Sequence, residues 1–340
     1  MHRFSTQLAV LAGILALSLS TANAGKLVPV PQVPGSYVTW VQSINDGGEI
    51  TGNADFQVSG LVYRDAYVGT LDGQYVTFHE GDDTEFPTYV TDIDNDGYVT
   101  GNGYYDSDPV QCGHGFVRAP DGTIVDVTRN GVIFSGTAAG ITKKQNFVGA
   151  SCEVSFGRVK NYGYYGRGTK YRADLVLPFN TDQTMPGDIS KKDGAVVGGF
   201  WDSDLNRYRA FLLKSGVATA FDYPDPNATY TFFDSINDKG MATGSWTDPN
   251  FTTYHSFLFD IGGNRLKALG PEGATVVIAG GINNAGLVAL NVDYLPYIYC
   301  SRKSTCPAFP KAIDVDDKWV PVPATALHAV VCRNGCLKSH

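Results

Sequence analysis

Methionine is scarce in this chain, with 3 among 340 residues, while glycine (39), tyrosine (19) and phenylalanine (18) are abundant. That imbalance argues against a helical protein and suits many short strands joined by tight turns. Long apolar runs are also missing. The longest, Leu8 to Leu19, covers about 12 residues, short of the roughly 20 that span a bilayer core. Basic charge is in deficit, with 25 Lys and Arg against 34 Asp and Glu over residues 25–340, a net of −9. A broad phosphate-binding footprint is therefore excluded, and no nucleic-acid partner is expected. The chain lacks a nucleophile elbow, a His-Glu-x-x-His zinc motif and a phosphate loop, so the common hydrolase templates find no support.

The amino terminus reads as a secretory signal. His2 and Arg3 precede the apolar run, and Ala22-Asn23-Ala24 supplies small residues before a cut at Gly25. A soluble mature chain, secreted or periplasmic, is expected, with no membrane span. Six cysteines stand at 112, 152, 300, 306, 332 and 336. An even number in an exported chain predicts disulfides, although six cysteines allow 15 pairings. Cys300, Cys306, Cys332 and Cys336 cluster near the end, while Cys112 and Cys152 stand apart and can pair. The Cys-x5-Cys and Cys-x3-Cys spacings are not those of common zinc sites.

What dominates the sequence is a phrase repeated six times. It begins as Ile44-Asn45-Asp46-Gly47-Gly48-Glu49-Ile50-Thr51-Gly52, and returns from Ile93, Ile141, Ile189, Ile236 and Ile282 at spacings of 49, 48, 48, 47 and 46 residues. Asn, Asp and Gly tolerate the positive φ of a tight turn, and the flanking apolar residues alternate as in a half-buried strand. A second strand follows, as in Tyr63 to Val68, His114 to Val117, Tyr208 to Leu213 and Tyr254 to Phe259. Turns such as Pro120-Asp121-Gly122 lead into a further strand. Each unit thus supplies about four short strands, one propeller blade, and the chain is expected to form a six-bladed, all-β propeller over about 36–323. The leader (25–40) and the cysteine-containing tail (324–340) would close the ring or cover its seam. An open solenoid is the alternative.

The hairpin phrase, followed by His255-Ser256-Phe257-Leu258, Arg209-Ala210-Phe211-Leu212 and His114-Gly115-Phe116-Val117, resembles the HAF-repeat family of extracellular repeat proteins. The resemblance covers roughly residues 40–320. It implies a propeller-like exported protein and carries no settled activity.

Function is sought where the period stretches. From the leading isoleucine to the second strand is 19–21 residues in units 1, 2, 4 and 5, but 31 in unit 3 (to Arg172) and 29 in unit 6 (to Lys311). These are read as insertions, the usual place for function on a regular scaffold. The unit 3 segment mixes cations and tyrosines, which suits an anionic glycan: Arg grips a carboxylate or sulfate and aromatic faces stack on sugar rings. Its ligand-binding candidates are Tyr162, Tyr164, Tyr165, Arg167, Lys170 and Arg172, with His114 and His255. The latter two, with Arg64, Arg172 and Arg209, are read as equivalent strand positions, a recurrence that equally suits a structural role. Asp92, Asp94 and Asp96 have the Asp-x-Asp-x-Asp-Gly form of a calcium loop, but Gly103 stands where an EF-hand needs Glu. The expected function is a monomeric binding protein for a carbohydrate or cell-surface ligand, acting through units 3 and 6. A polysaccharide lyase of uronic acids and a purely structural or adhesive protein are the alternatives.

Overall fold

The structure, a computed structural model, describes residues 25–81, 87–104, 112–133, 135–155, 158–301, 313–315, 317–332 and 336–338. The signal segment, Cys306 and Lys311 lie outside these residues. Among the described residues the chain is all-β, with one three-residue 3-10 turn at Ala324–Ala326. No helix among the described residues is long and apolar enough to cross a membrane.

Each repeat is an antiparallel meander whose first strand ends at the leading isoleucine. In repeat 1 the strands are Val38–Ile44, Glu49–Val58, Leu61–Thr70 and Tyr75–Phe78. Repeat 2 uses Tyr89–Ile93, Val99–Gly103, His114–Arg118 and Ile124–Asp126. Repeats 3, 4 and 5 start their first strands at Gly136, Thr184 and Tyr230, and repeat 6 at Val277. The fourth strand of repeat 6 comes from the other end of the chain: Gly25–Pro29 pairs antiparallel with Leu295–Cys300. Among the described residues the strands assort into five sheets. Repeats 4 and 5 share one of them through a single parallel pairing, Tyr208 with Tyr230.

The phrase owes its closing glycine to packing. Gly52, Gly101, Gly149, Gly198 and Gly244 lie directly across from Tyr67, Phe116, Tyr164, Phe211 and Phe257, all essentially buried. A Cβ on Gly52 would collide with the Trp40 carbonyl and the Tyr67 hydroxyl, so the ring can only lie over a glycine. Each such ring contributes about 1.5–3 kcal/mol of burial. Repeat 6 replaces the pair with Leu290 and Tyr297.

The Asn/Asp turns then lock repeat to repeat. Asn45 Nδ2 donates to the Asp94 carbonyl (3.0 Å) and Asn237 Nδ2 to that of Asn283 (2.9 Å). Asn283 Nδ2 donates to the Asn45 carbonyl (3.0 Å), joining the sixth repeat to the first across 238 residues. A β-bulge interrupts all six first strands just before the isoleucine. The residue preceding that isoleucine is Ser43, Asp92, Gly140, Asp188, Ser235 and Gly281 in turn. Asp92 accepts from Ser43 Oγ (2.7 Å) and Ile141 N (3.0 Å), and Asp188 accepts from Ser235 Oγ (2.5 Å) and Ile236 N (2.9 Å). Gly140 and Gly281 leave room for Asp188 and Ser43. First-strand side chains from all six repeats line a shared cavity of about 260 Å³.

The chain from Val320 onward runs along the outer strands of repeats 5, 4 and 3 in turn. Val320–Pro321 pairs with Arg265–Leu269 of repeat 5, Leu327–Val331 with Val217–Phe221 of repeat 4, and Leu337–Lys338 with Lys170–Leu175 of repeat 3. It covers three outer strand edges in succession, which would otherwise present unpaired backbone groups. Two cysteine pairs lie at disulfide distance, Cys112–Cys152 (Cα–Cα 5.9 Å) and Cys332–Cys336 (5.6 Å). Cys300 is buried in the repeat 6 core.

Candidate functional site

The stretch in repeat 3 is not an insertion. Its third strand is Arg158–Arg167, and Tyr164 follows Ile141 by the same 23 residues that separate Tyr67 from Ile44. Tyr171-Arg172-Ala173 mimics the third-strand phrase but belongs to the fourth strand, Lys170–Leu175. What is unusual is strand length: the second and third strands of repeat 3 run ten residues each, as they do in repeat 1. In repeat 6 the third strand, Leu295–Cys300, comes early rather than late, and the segment reaching Lys311 lies outside the described residues.

Register decides what each candidate can do. Tyr164 is removed from the list: it is 1% exposed, lies over Gly149 and donates its hydroxyl to the Thr137 carbonyl at 3.2 Å. Burial pushes its pKa far above the ordinary phenol range. Tyr165 packs against the core of Val148, Leu175 and Ile189, and burial raises its pKa too. Tyr162 is 39% exposed. Five residues separate it from Arg167 on one strand, roughly 17 Å at ~3.3 Å per residue. The cations and the exposed tyrosine therefore face different ends of the same sheet.

At one end, Arg167, Lys170 and Arg172 meet Lys144 and Gln145 around a concavity of about 440 Å³. All four cations are exposed, and no carboxylate lines the cleft among the described residues. The turn between the first and second strands of repeat 3 supplies Lys144 and Gln145, Arg167 and Lys170 flank the turn between its third and fourth strands, and Arg172 lies on the fourth. Sequence reasoning missed Lys144 because it sits in the repeat phrase itself, where Lys143-Lys144-Gln145 stands in place of Asp46-Gly47-Gly48 of repeat 1. Its neighbour Lys143 pairs with Asp96 at 3.3 Å.

Of the polar positions read as equivalent, His114, Arg209 and His255 do share one register, while Arg64 and Arg172 do not. Those truly equivalent, two residues before the buried ring, are Asp65, His114, Tyr162, Arg209 and His255. Arg64 lies one residue off and pairs with Asp55 (2.5 Å), and Arg172 lies on another strand. Arg209 bridges Asp202 (3.0 Å) and Asp222 (2.9 Å), and His255 stacks on Trp246 at 4.2 Å between ring centres. His114, half-buried, belongs to repeat 2 and His255 to repeat 5, so neither joins the repeat 3 cations. A lyase needs a Tyr or His base within reach of the cation that holds the substrate carboxylate. Tyr164 in the core and the two histidines in other repeats do not meet that requirement, whereas half-buried Tyr165, two residues from Arg167 on the same strand, feels the charge of that guanidinium.

The calcium candidates also disperse. Asp92 is bound to Ser43 and Ile141, Asp94 Oδ1 accepts from the amides of Asp96 and Tyr98 (both 2.9 Å), and Asp96 pairs with Lys143. The loop is the repeat turn. Among the described residues no group of three metal-ligating side chains forms.

Where the turns of the repeats meet lies a charge cluster around Lys191, which sequence reasoning did not single out. Lys191, from the repeat 4 turn, reaches across to the Ile93 carbonyl of repeat 2 (3.0 Å) and lies 3.9 Å from Asp92. Burial opposes its charge, but Asp92, Asp188, Asp94 and Asp46 outweigh that and raise its pKa. Burial, then the charge of Asp92, pushes Asp188 up to about 7, and burial does the same to Asp234. The only hint in the sequence was the Ser/Asp/Gly alternation before each isoleucine.

No protein-family model and no curated protein matches the chain. Among solved structures it is similar to a streptogramin B lyase (12% identity, 81% of this chain and 97% of that one, TM-score 0.43). It is also similar to virginiamycin B lyase from Staphylococcus aureus (10% identity, 81% and 99%, TM-score 0.42). At this level of likeness neither bears on function.

Proposed function

We propose that this chain is an exported, monomeric six-bladed β-propeller of the HAF-repeat kind, which binds an anionic polysaccharide through the basic cleft of repeat 3. Six bulged first strands around one cavity, with the first and last repeats joined by Asn283 and by the Gly25–Pro29 strand, support the ring. The observation that carries the ligand class is the cleft of Lys144, Arg167, Lys170 and Arg172 with no lining carboxylate, on a chain of net −9 over residues 25–340. Two guanidinium groups can each take a carboxylate or sulfate through paired hydrogen bonds. Binding of hexagalacturonate and alginate hexamers to the full chain tests this by titration calorimetry. The Arg167→Ala/Arg172→Ala variant should bind at least tenfold more weakly, and the wild-type affinity should fall steeply between 50 and 300 mM salt. Unchanged affinity in the variant, or no binding by the wild type, would leave a scaffold or adhesive role in its place.

A further inference from the structure

The opposite end of repeat 3 carries a second cleft of about 500 Å³, within the size range of small-ligand sites. Its walls come from the far ends of the second, third and fourth strands of repeat 3 and from the connection into repeat 4. The Cys112–Cys152 link lies on its wall through Cys152 and ties the repeat 2 chain to this edge.

Tyr162 is what separates this cleft from an ordinary groove between sheets. The equivalent position in other repeats is engaged internally: Asp65 with His79 (3.0 Å), Arg209 with two aspartates, His255 on Trp246. A structural role therefore explains the position in those repeats. In repeat 3 the same position presents a tyrosine ring to the cleft, 39% exposed. Around it stand planar polar groups, Gln183, Glu153, Asp174 and Asp182, with one cation, Arg129. Asp182 pairs with Lys160 (2.7 Å), Asp174 accepts from Tyr171 (2.7 Å), and Gln183 Oε1 accepts from Tyr208 (3.3 Å), so these acceptors are held in place.

We infer that this cleft is a saccharide-binding site for an uncharged sugar chain, distinct from the basic cleft. An exposed aromatic face offers apolar contact to the C–H face of a pyranose at small entropic cost, and the ring of fixed acceptors takes its hydroxyls. The acidic lining disfavours a polyanion, the opposite preference from the basic end. The inference does not depend on the anionic-glycan reading.

Calorimetric titration of the full chain with chitohexaose and cellohexaose tests it. At least one should bind, Tyr162→Ala should weaken that binding tenfold or more, and Tyr162→Phe should retain it within about threefold. The Arg167→Ala/Arg172→Ala variant should bind the neutral hexamer as the wild type does, whatever it does to hexagalacturonate. Failure of both neutral hexamers to bind the wild type would overturn the site. So would equal binding by Tyr162→Ala, or a loss in Tyr162→Phe as large as in Tyr162→Ala.

Discussion

Tyr162 and Tyr164 stand two residues apart on one strand and on one face of a sheet, yet they differ in nearly everything. Tyr164 is sealed over Gly149 like its counterparts in four other repeats. Tyr162 occupies a position that repeats 1, 4 and 5 close with an ion pair or a stack, and it is left open. The contrast extends to the whole molecule. Where the first strands and turns of the repeats meet, buried carboxylates and a half-buried ammonium are committed to joining repeats; on the outer strands of repeat 3, charges and a ring face open clefts. Polar residues between the repeats hold the fold, and those at the two ends of repeat 3 line open clefts.

Substitutions can break this comparison directly. Tyr164→Ala should cost about 3–5 kcal/mol in urea unfolding, because it empties a buried ring site. A cost below ~1 kcal/mol would show that the glycine–aromatic pair does not hold the repeat. Lys191→Met should cost about 1–3 kcal/mol, since Asp92 and Asp188 would keep their burial without the nearby ammonium.

A further effect is expected from pH. Asp188 and Asp234 hold their protons to about 7 when folded, well above the ordinary carboxylate value near 3.8. The folded state then binds more protons than the unfolded one between those values. Their contribution to stability is full below about pH 4 and is lost as pH rises through 7. Asp234→Asn should flatten that decline between pH 5 and 8 in melts, and an unchanged slope would remove Asp234 from the account. Smallest of all, Tyr162→Ala should move stability by no more than about 0.5 kcal/mol. A larger loss would mean that Tyr162 is structural after all.

Much of this organisation was legible in the residues. The Ile-Asn-x-x-Gly phrase names its own turn, because Asn and Gly are chosen locally by backbone conformation. Its six-fold recurrence set out the repeats and the first two strands of each. The error in repeat 3 came from matching residue types: Tyr171-Arg172-Ala173 looks like Tyr208-Arg209-Ala210. Strand order is decided by which residue lies over the glycine, and counting 23 residues from the isoleucine would have found Tyr164. Lys144, Lys191 and the tail pairings were not legible, because each acts on residues far away in the chain.

The exposed tyrosine of repeat 3 shows where the division falls. Period, turn chemistry and the alternation of apolar residues are short-range properties, so the sequence alone determined that the chain is a set of β-meanders with acidic and basic regions unevenly spread. Which cations share a cleft, which tyrosine is core and which is open, and which strand completes repeat 6 depended on tertiary structure. Those outcomes follow from register and from contacts across up to 250 residues, such as Asn291 with Val41, and one residue of slip would have exchanged the faces.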